Sequence, residues 1–160
     1  MLEVVKDLRD RGIEVIYAPN CQPAEQSARM IAEALHLKVK RIDQLKNVDQ
    51  GLWEGLCVEE VRRKHPKVFR QWQQRPGTVR PPEGETIGEA EERVRATVNR
   101  ILRRHRSGKI AMVLPEPIAS LVTCMLSGNG SDKLWKTTKK HGTWEVLEIE
   151  SQQAVAELEG

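Results

Sequence analysis

Residues 109–114 read KIAMVL, and five of the six are apolar with no alternation. A strand with one face in water alternates apolar and polar residues. An unbroken apolar run belongs instead to a strand covered on both faces, the pattern of a parallel sheet held between helical layers. Residues 13–17, IEVIY, read as a second strand, and the basic stretch around Val39 and Ile42 as a third at the sheet edge. The segments between them have helical spacing. Val4, Val5 and Leu8 share a face that ends at Gly12, and Ala24, Ala28, Ile31 and Leu35 follow Pro23, which suits a first helical turn. Ile87, Ala90, Val94, Val98, Ile101 and Leu102 follow Thr86 and Glu89, a capping-box pair. Alternating elements of this kind predict an α/β three-layer sandwich with a mostly parallel central sheet.

Other elements follow from breakers. Residues 57–65 are helical as far as Pro66, a short helix surrounds Val68, Phe69 and Trp72, and RPGTVRPPEG excludes regular structure. A helix from about Ile118 to Leu126 stops near Gly128, TWEVLEIE reads as a strand, and QQAVAELEG as a short helix or frayed end. We expect one domain over residues 1–150 and a C-terminal tail over 151–160.

Composition narrows the class. With 39% hydrophobic residues among 160, the chain can bury one core. No run approaches the ~18 apolar residues of a membrane span, and the charged start MLEVVKDLRDRG lacks an apolar leader, so the expected location is cytoplasmic, away from membranes. Cys21, Cys57 and Cys124 are odd in number and lack CxxC spacing, which argues for free thiols rather than disulfides or zinc. His36, His65, His105 and His141 fall at element ends with no metal-ligand spacing, pointing to solvated or capping roles. No metal and no cofactor is expected.

Four stretches carry a resemblance: IEVIYAPNCQPAEQSARMIAEAL, VDQGLWEGLCVEEVRRKHPKVFRQW, RPPEGETIGEAEERV and KIAMVLPEPIASLVTCMLSG. In their order and spacing the chain resembles the histidine phosphatase superfamily, the phosphoglycerate mutase-like proteins. The resemblance implies that fold, and a chemistry in which phosphate passes to a histidine in an Arg-His-Gly motif ending the first strand. A covalent histidine divides one difficult displacement into two easier ones, and clustered cations stabilise the transferring group.

Carried over position by position, the family pattern meets substitutions. The chain begins at the helix that follows the Arg-His-Gly strand, so the resemblance implies a truncated, degenerate member lacking the first strand and its nucleophile. Pro23 stands where the phosphate-binding Arg belongs, Asn47 where the general acid belongs and Pro115 where the second histidine belongs. An amide cannot deliver a proton, and losing a positioned acid costs about 10²- to 10⁴-fold in rate. The ancestral pocket would then be lined by Asn20, Glu25, Trp53, Glu54, Glu85 and Glu116.

At one side of that pocket the chain reads Pro115-Glu116-Pro117 between a strand and a helix, a junction that normally offers free N–H groups to an anion. Two prolines withdraw two donors, and the Glu116 carboxylate supplies the anion from within the chain. Pro23 and Glu25 repeat the device at the other helix start.

Rival chemistries fare worse. Cys57 to Arg63 spells Cys-x5-Arg, but the intervening VEEVR is helix-forming and doubly acidic, which repels a phosphate. RRHRSGK (103–109) and KTTKKH (136–141) lack interleaved aromatics and read as solvated faces rather than nucleic-acid sites. Trp53 and Trp72 are expected to floor the old cleft, and Trp135 and Trp144 to flank the last strand. The resulting expectation is a catalytically inactive member with a binding, regulatory or scaffold role. The alternative is a phosphomonoesterase or phosphohistidine-type phosphatase whose nucleophile is relocated or supplied in trans. Loss of a sheet strand leaves an edge, so the expected partner is a second copy of the chain or another protein.

Overall fold

Strand β1, Ile13–Ala18, is the middle strand of a three-stranded parallel sheet, with β2, Val39–Arg41, on one side and β3, Lys109–Met112, on the other. The computed structural model describes residues 2–56, 58–74, 78–128 and 144–149, the side chains of 2, 58, 72 and 73 excepted. The helices are α1 (Leu2–Leu8), α2 (Gln22–Leu35), α3 (Val58–Lys64), α4 (Pro66–Gln74), α5 (Ile87–Arg104) and α6 (Ile118–Leu126). None of them is long and apolar enough to cross a membrane. The chain forms two compact units, Met1–Asn47 with Val94–Gly160, and Val48–Arg93.

In the first unit, register follows from pleating. Ile16 pairs with Val39 and Ala111, and Tyr17 with Lys40 and Met112, so successive β1 side chains leave on opposite faces. Ile16 and Ala18 join Val5 of α1 and Ala28, Ile31 and Ala32 of α2 in one apolar cluster. Tyr17, 2% exposed, leaves on the other face, where its hydroxyl meets His105 Nε2 at 2.9 Å, just beyond the end of α5. Both faces of β1 are therefore buried. α5 buries Ala90, Val94, Val98 and Ile101, the spacing that sequence periodicity predicts.

Helix ends obey local chemistry. α2 stops at His36, in the left-handed region at φ 55°, whose N–H reaches the Ala32 and Glu33 carbonyls. Thr86 and Glu89 close the expected capping box: Thr86 N–H donates to Glu89 Oε2 at 2.8 Å, and Glu89 N–H to Thr86 Oγ1 at 3.2 Å.

One expectation needs correction. Residues 144–149 of TWEVLEIE form no strand; the segment is held by side chains instead. Trp144 Nε1 donates to Asp7 Oδ2 at 3.2 Å with the Arg11 guanidinium 4.3 Å from its ring, and Thr123 Oγ1 donates to Glu145 Oε1 at 2.6 Å. These contacts tie it to the ends of α1 and α6, and Val146, whose β-branching suggested a strand, is 56% exposed. The predicted tail 151–160, KTTKKH, His141, Trp135, Cys57 and the Trp72 side chain lie outside the described residues.

Candidate functional site

Parallel strands bring their C-terminal ends to one edge, where loops converge on ligands in open α/β sheets. Here the ends of β1, β2 and β3 are laced together: Val113 N–H donates to the Tyr17 carbonyl at 2.8 Å, and Ile42 N–H to the Ala18 carbonyl at 2.9 Å. The β1–α2 and β3–α6 junctions are therefore neighbours. Asn20, Pro23 and Glu25 follow the end of β1, and Pro115 and Glu116 follow the end of β3, its sheet neighbour.

Each junction is occupied by the chain's own groups. Pro23 sits in the first turn of α2, and Glu25 two residues on accepts from Arg29 Nη2 at 2.7 Å and Arg41 Nε at 2.8 Å. Arg41 ends β2, so one carboxylate joins a helix start to a strand end. At the other junction, of the first four amides of α6, Ala119 N–H donates to the Pro115 carbonyl and Leu121 N–H to the Pro117 carbonyl, both at 3.0 Å. Ser120 N–H points at Glu116 Oε2, 3.4 Å away. Asn20 is exposed, and Asn47 is partly buried just beyond the short helical turn Asp43–Leu45.

The second unit holds Trp53, Glu54 and Glu85. Two loops clasp each other there. Leu52 N–H donates to the Pro82 carbonyl at 2.9 Å, and Glu85 N–H to the Asp49 carbonyl at 3.0 Å. The approach demands glycines, since a Cβ on Gly51 would lie 2.1 Å from the Pro82 carbonyl oxygen and one on Gly84 2.5 Å from that of Asp49. Glu85 is fixed inside this clasp, accepting from Asp49 N–H at 3.0 Å and from Arg93 Nη2 at 2.5 Å. Trp53 is half-buried against His65, ring centroids 6.0 Å apart, and its Nε1 has no partner among the described residues. Glu54 is exposed. Among the described residues no group of three or more His, Cys, Asp or Glu is arranged to hold a metal ion.

The family model of the histidine phosphatase superfamily (branch 1) matches residues 1–159. The chain belongs to that superfamily. Phosphoserine phosphatase 1 of Hydrogenobacter thermophilus is 28% identical to this superfamily member over 152 residues, 95% of this chain and 72% of that protein. A bifunctional protein of Mycobacterium tuberculosis is 32% identical over 129 residues, 80% of this chain. The chain spans only 35% of that relative's length. Among solved structures, Bacillus stearothermophilus YhfR superposes with a TM-score of 0.79 at 21% identity, covering 88% of this chain and 70% of its own. The native mycobacterial glucosyl-3-phosphoglycerate phosphatase gives 0.75 at 16%, covering 86% and 68%. At such identities these structures establish the histidine phosphatase-like fold, and nothing finer.

Sequence reasoning missed the cations that hold the acidic residues. Arg29 was within reach, four residues from Glu25 on one helix face. Arg41 and Arg93 were not, because their pairings depend on a strand end meeting a helix start and on a loop folding back over the first turns of α5.

Proposed function

We propose that this chain does not transfer phosphate and instead serves a binding, regulatory or scaffold role on a histidine phosphatase fold. The observation that carries this reading is the β3–α6 junction, where three of the first four amides of α6 find acceptors within the chain and Pro115 and Pro117 offer no N–H. A phosphate at that helix start would have to displace the Glu116 carboxylate and would meet a like charge. At the neighbouring helix start the Glu25 carboxylate is paired with Arg29 and Arg41. Pro23, Asn47 and Pro115 lack the side-chain chemistry that the family pattern asks of them. We further propose that β3 pairs with a second copy of the chain.

The test is turnover of para-nitrophenyl phosphate from about pH 5 to 8, the range over which a histidine changes charge, beside a variant with all four histidines replaced by Gln. Turnover at the level of the blank is the expected outcome. Activity that disappears in the variant would mean that a histidine nucleophile is present and that the positional reading is wrong. A second reading, a phosphomonoesterase with a relocated or in-trans nucleophile, draws on the 28% identity to a phosphoserine phosphatase. Phosphoserine is accordingly the second substrate to assay.

A further inference from the structure

Residues 61–82 contain seven Lys and Arg residues and no Asp or Glu, in a chain whose formal charge is only +3, so all the other residues together sum to −4. The run is local, since the second unit as a whole, Val48–Arg93, holds eight Lys and Arg against nine Asp and Glu, among them Glu54, Glu59 and Glu60 just before the run. Arg62, Arg63 and Lys64 end α3, and Lys67 and Arg70 lie on α4. All five are exposed, and among the described residues none of their side chains has a hydrogen bond, ion pair or ring contact. A helix C-terminus favours cations, which accounts for the three that end α3. It does not account for Lys67 in the first turn of α4, where the dipole opposes positive charge, nor for Arg70.

Aromatic side chains lie next to these cations in sequence. His65, exposed, stands in sequence between Lys64 and Lys67, and its ring rests against Trp53 with centroids 6.0 Å apart and planes inclined at 34°. Leu52, next to Trp53, is 62% exposed. Free cations around a ring pair and an exposed apolar side chain are the ingredients of single-strand nucleic-acid binding: cations follow the phosphates while bases stack on ring faces. Arginine suits this role, since its planar fork grips phosphate oxygens in pairs. The segments 103–109 and 136–141, by contrast, lack aromatics in their sequence.

We infer that the α3–α4 surface, with Leu52, Trp53 and His65, binds single-stranded nucleic acid through its phosphate backbone with little sequence preference. This holds whether or not the chain hydrolyses phosphomonoesters.

Fluorescence anisotropy of the full chain with labelled 20-nucleotide single strands tests it. Five phosphate contacts imply a slope of log K on log salt near −3.5, so that affinity falls roughly a hundredfold between about 50 and 200 mM salt. The triple variant Arg63→Gln, Lys67→Gln, Arg70→Gln should flatten the slope by about 2, and His65→Ala should weaken binding by about tenfold without changing the slope. The altered side chains are exposed, and an unchanged thermal melt verifies folding. Arg103→Gln with Arg104→Gln, two exposed cations of α5, is the control and should have little effect. Four results would overturn the inference: no binding at 50 mM salt, equal losses in control and triple variant, tighter binding to duplex, or displacement by polyglutamate at equal charge as readily as by a single strand. The last would make the surface one for acidic proteins.

Discussion

Glu85 and Arg93 hold each other through two hydrogen bonds, Nε to Oε2 at 3.2 Å and Nη2 to Oε1 at 2.5 Å, with both side chains only 18% exposed. Asp49 N–H adds a third donor to the carboxylate. Removing one partner of a mostly buried pair leaves the other charge uncompensated, which costs more than the pair itself contributes. Glu85→Ala should therefore lower stability by about 2–3 kcal/mol, and Glu85→Ala with Arg93→Ala should cost less than the two single changes added together. Urea unfolding followed by tryptophan fluorescence measures both. Strict additivity would mean that the pair contributes nothing.

The clasp also depends on Gly51, which combines φ +51° with contact against the 82–84 backbone. Gly55 makes a matched control, since it too has positive φ, +78°, but a Cβ there meets nothing within 4 Å. Gly55→Ala should cost only the left-handed penalty of about 1 kcal/mol. Gly51→Ala adds a collision with backbone atoms that no side-chain rotation relieves, and should cost at least ~2 kcal/mol more. Thermal melts that ranked the two variants equally would refute the close approach.

The start of α5 makes a pH-dependent contribution. The Thr86 N–H foremost, and then Arg80, hold the Glu89 carboxyl below its ordinary value of 4.5. A depressed acid stabilises the fold above its unfolded pKa, and that contribution is lost as pH falls through the lower folded value. The urea midpoints of the native chain and of Glu89→Gln should thus differ at pH 7 and draw together as pH falls below 4.5. Thr86→Ala removes the reciprocal half of the box and should cost about 1 kcal/mol. A gap between native and Glu89→Gln midpoints that stayed constant with pH would assign the effect of Glu89 to something other than its charge.

How much was legible in the sequence varied with how local the cause was. KIAMVL, IEVIY and the α5 stripe declare themselves because their periods reflect burial of the segment itself. The capping box is legible for the same reason, its two members being three residues apart. TWEVLEIE misled because its β-branched, aromatic composition suits a strand, whereas the described part is anchored by Trp144 on Asp7 and Arg11, residues more than 130 positions away. Family position singles out Glu25 and Glu85 but not their partners. Arg41 reaches Glu25 only because β2 lies beside β1, and the Glu85–Arg93 pair needs the 78–86 loop to double back. The run of cations from Arg62 to Arg70 was written plainly in the sequence, yet only in three dimensions could it be seen that their side chains have no ion-pair partner among the described residues.

The proposed self-association turns on β3. Every residue from Ile110 to Leu114 is only half-buried, although the run is apolar enough for a strand covered on all sides, and among the described residues β3 pairs with β1 alone. Its other edge thus carries N–H and C=O groups beside apolar side chains, and natural sheets blunt such edges with charge or proline. Proline appears only at 115, past the end of the strand, and the single charge, Lys109, lies at its start. Antiparallel pairing about a two-fold axis at residues 111 and 112 would set Ile110 against Val113 and continue the sheet from one copy into the next. Sedimentation equilibrium should then report a dimer, and Ala111→Pro, which removes one ladder N–H, should shift the population toward monomer. Since that proline could also disturb the pairing with β1, Ala111→Lys, which adds charge while keeping the N–H, is the companion variant. A native chain that stays monomeric at the highest workable concentration would rule out this edge as a self-association surface.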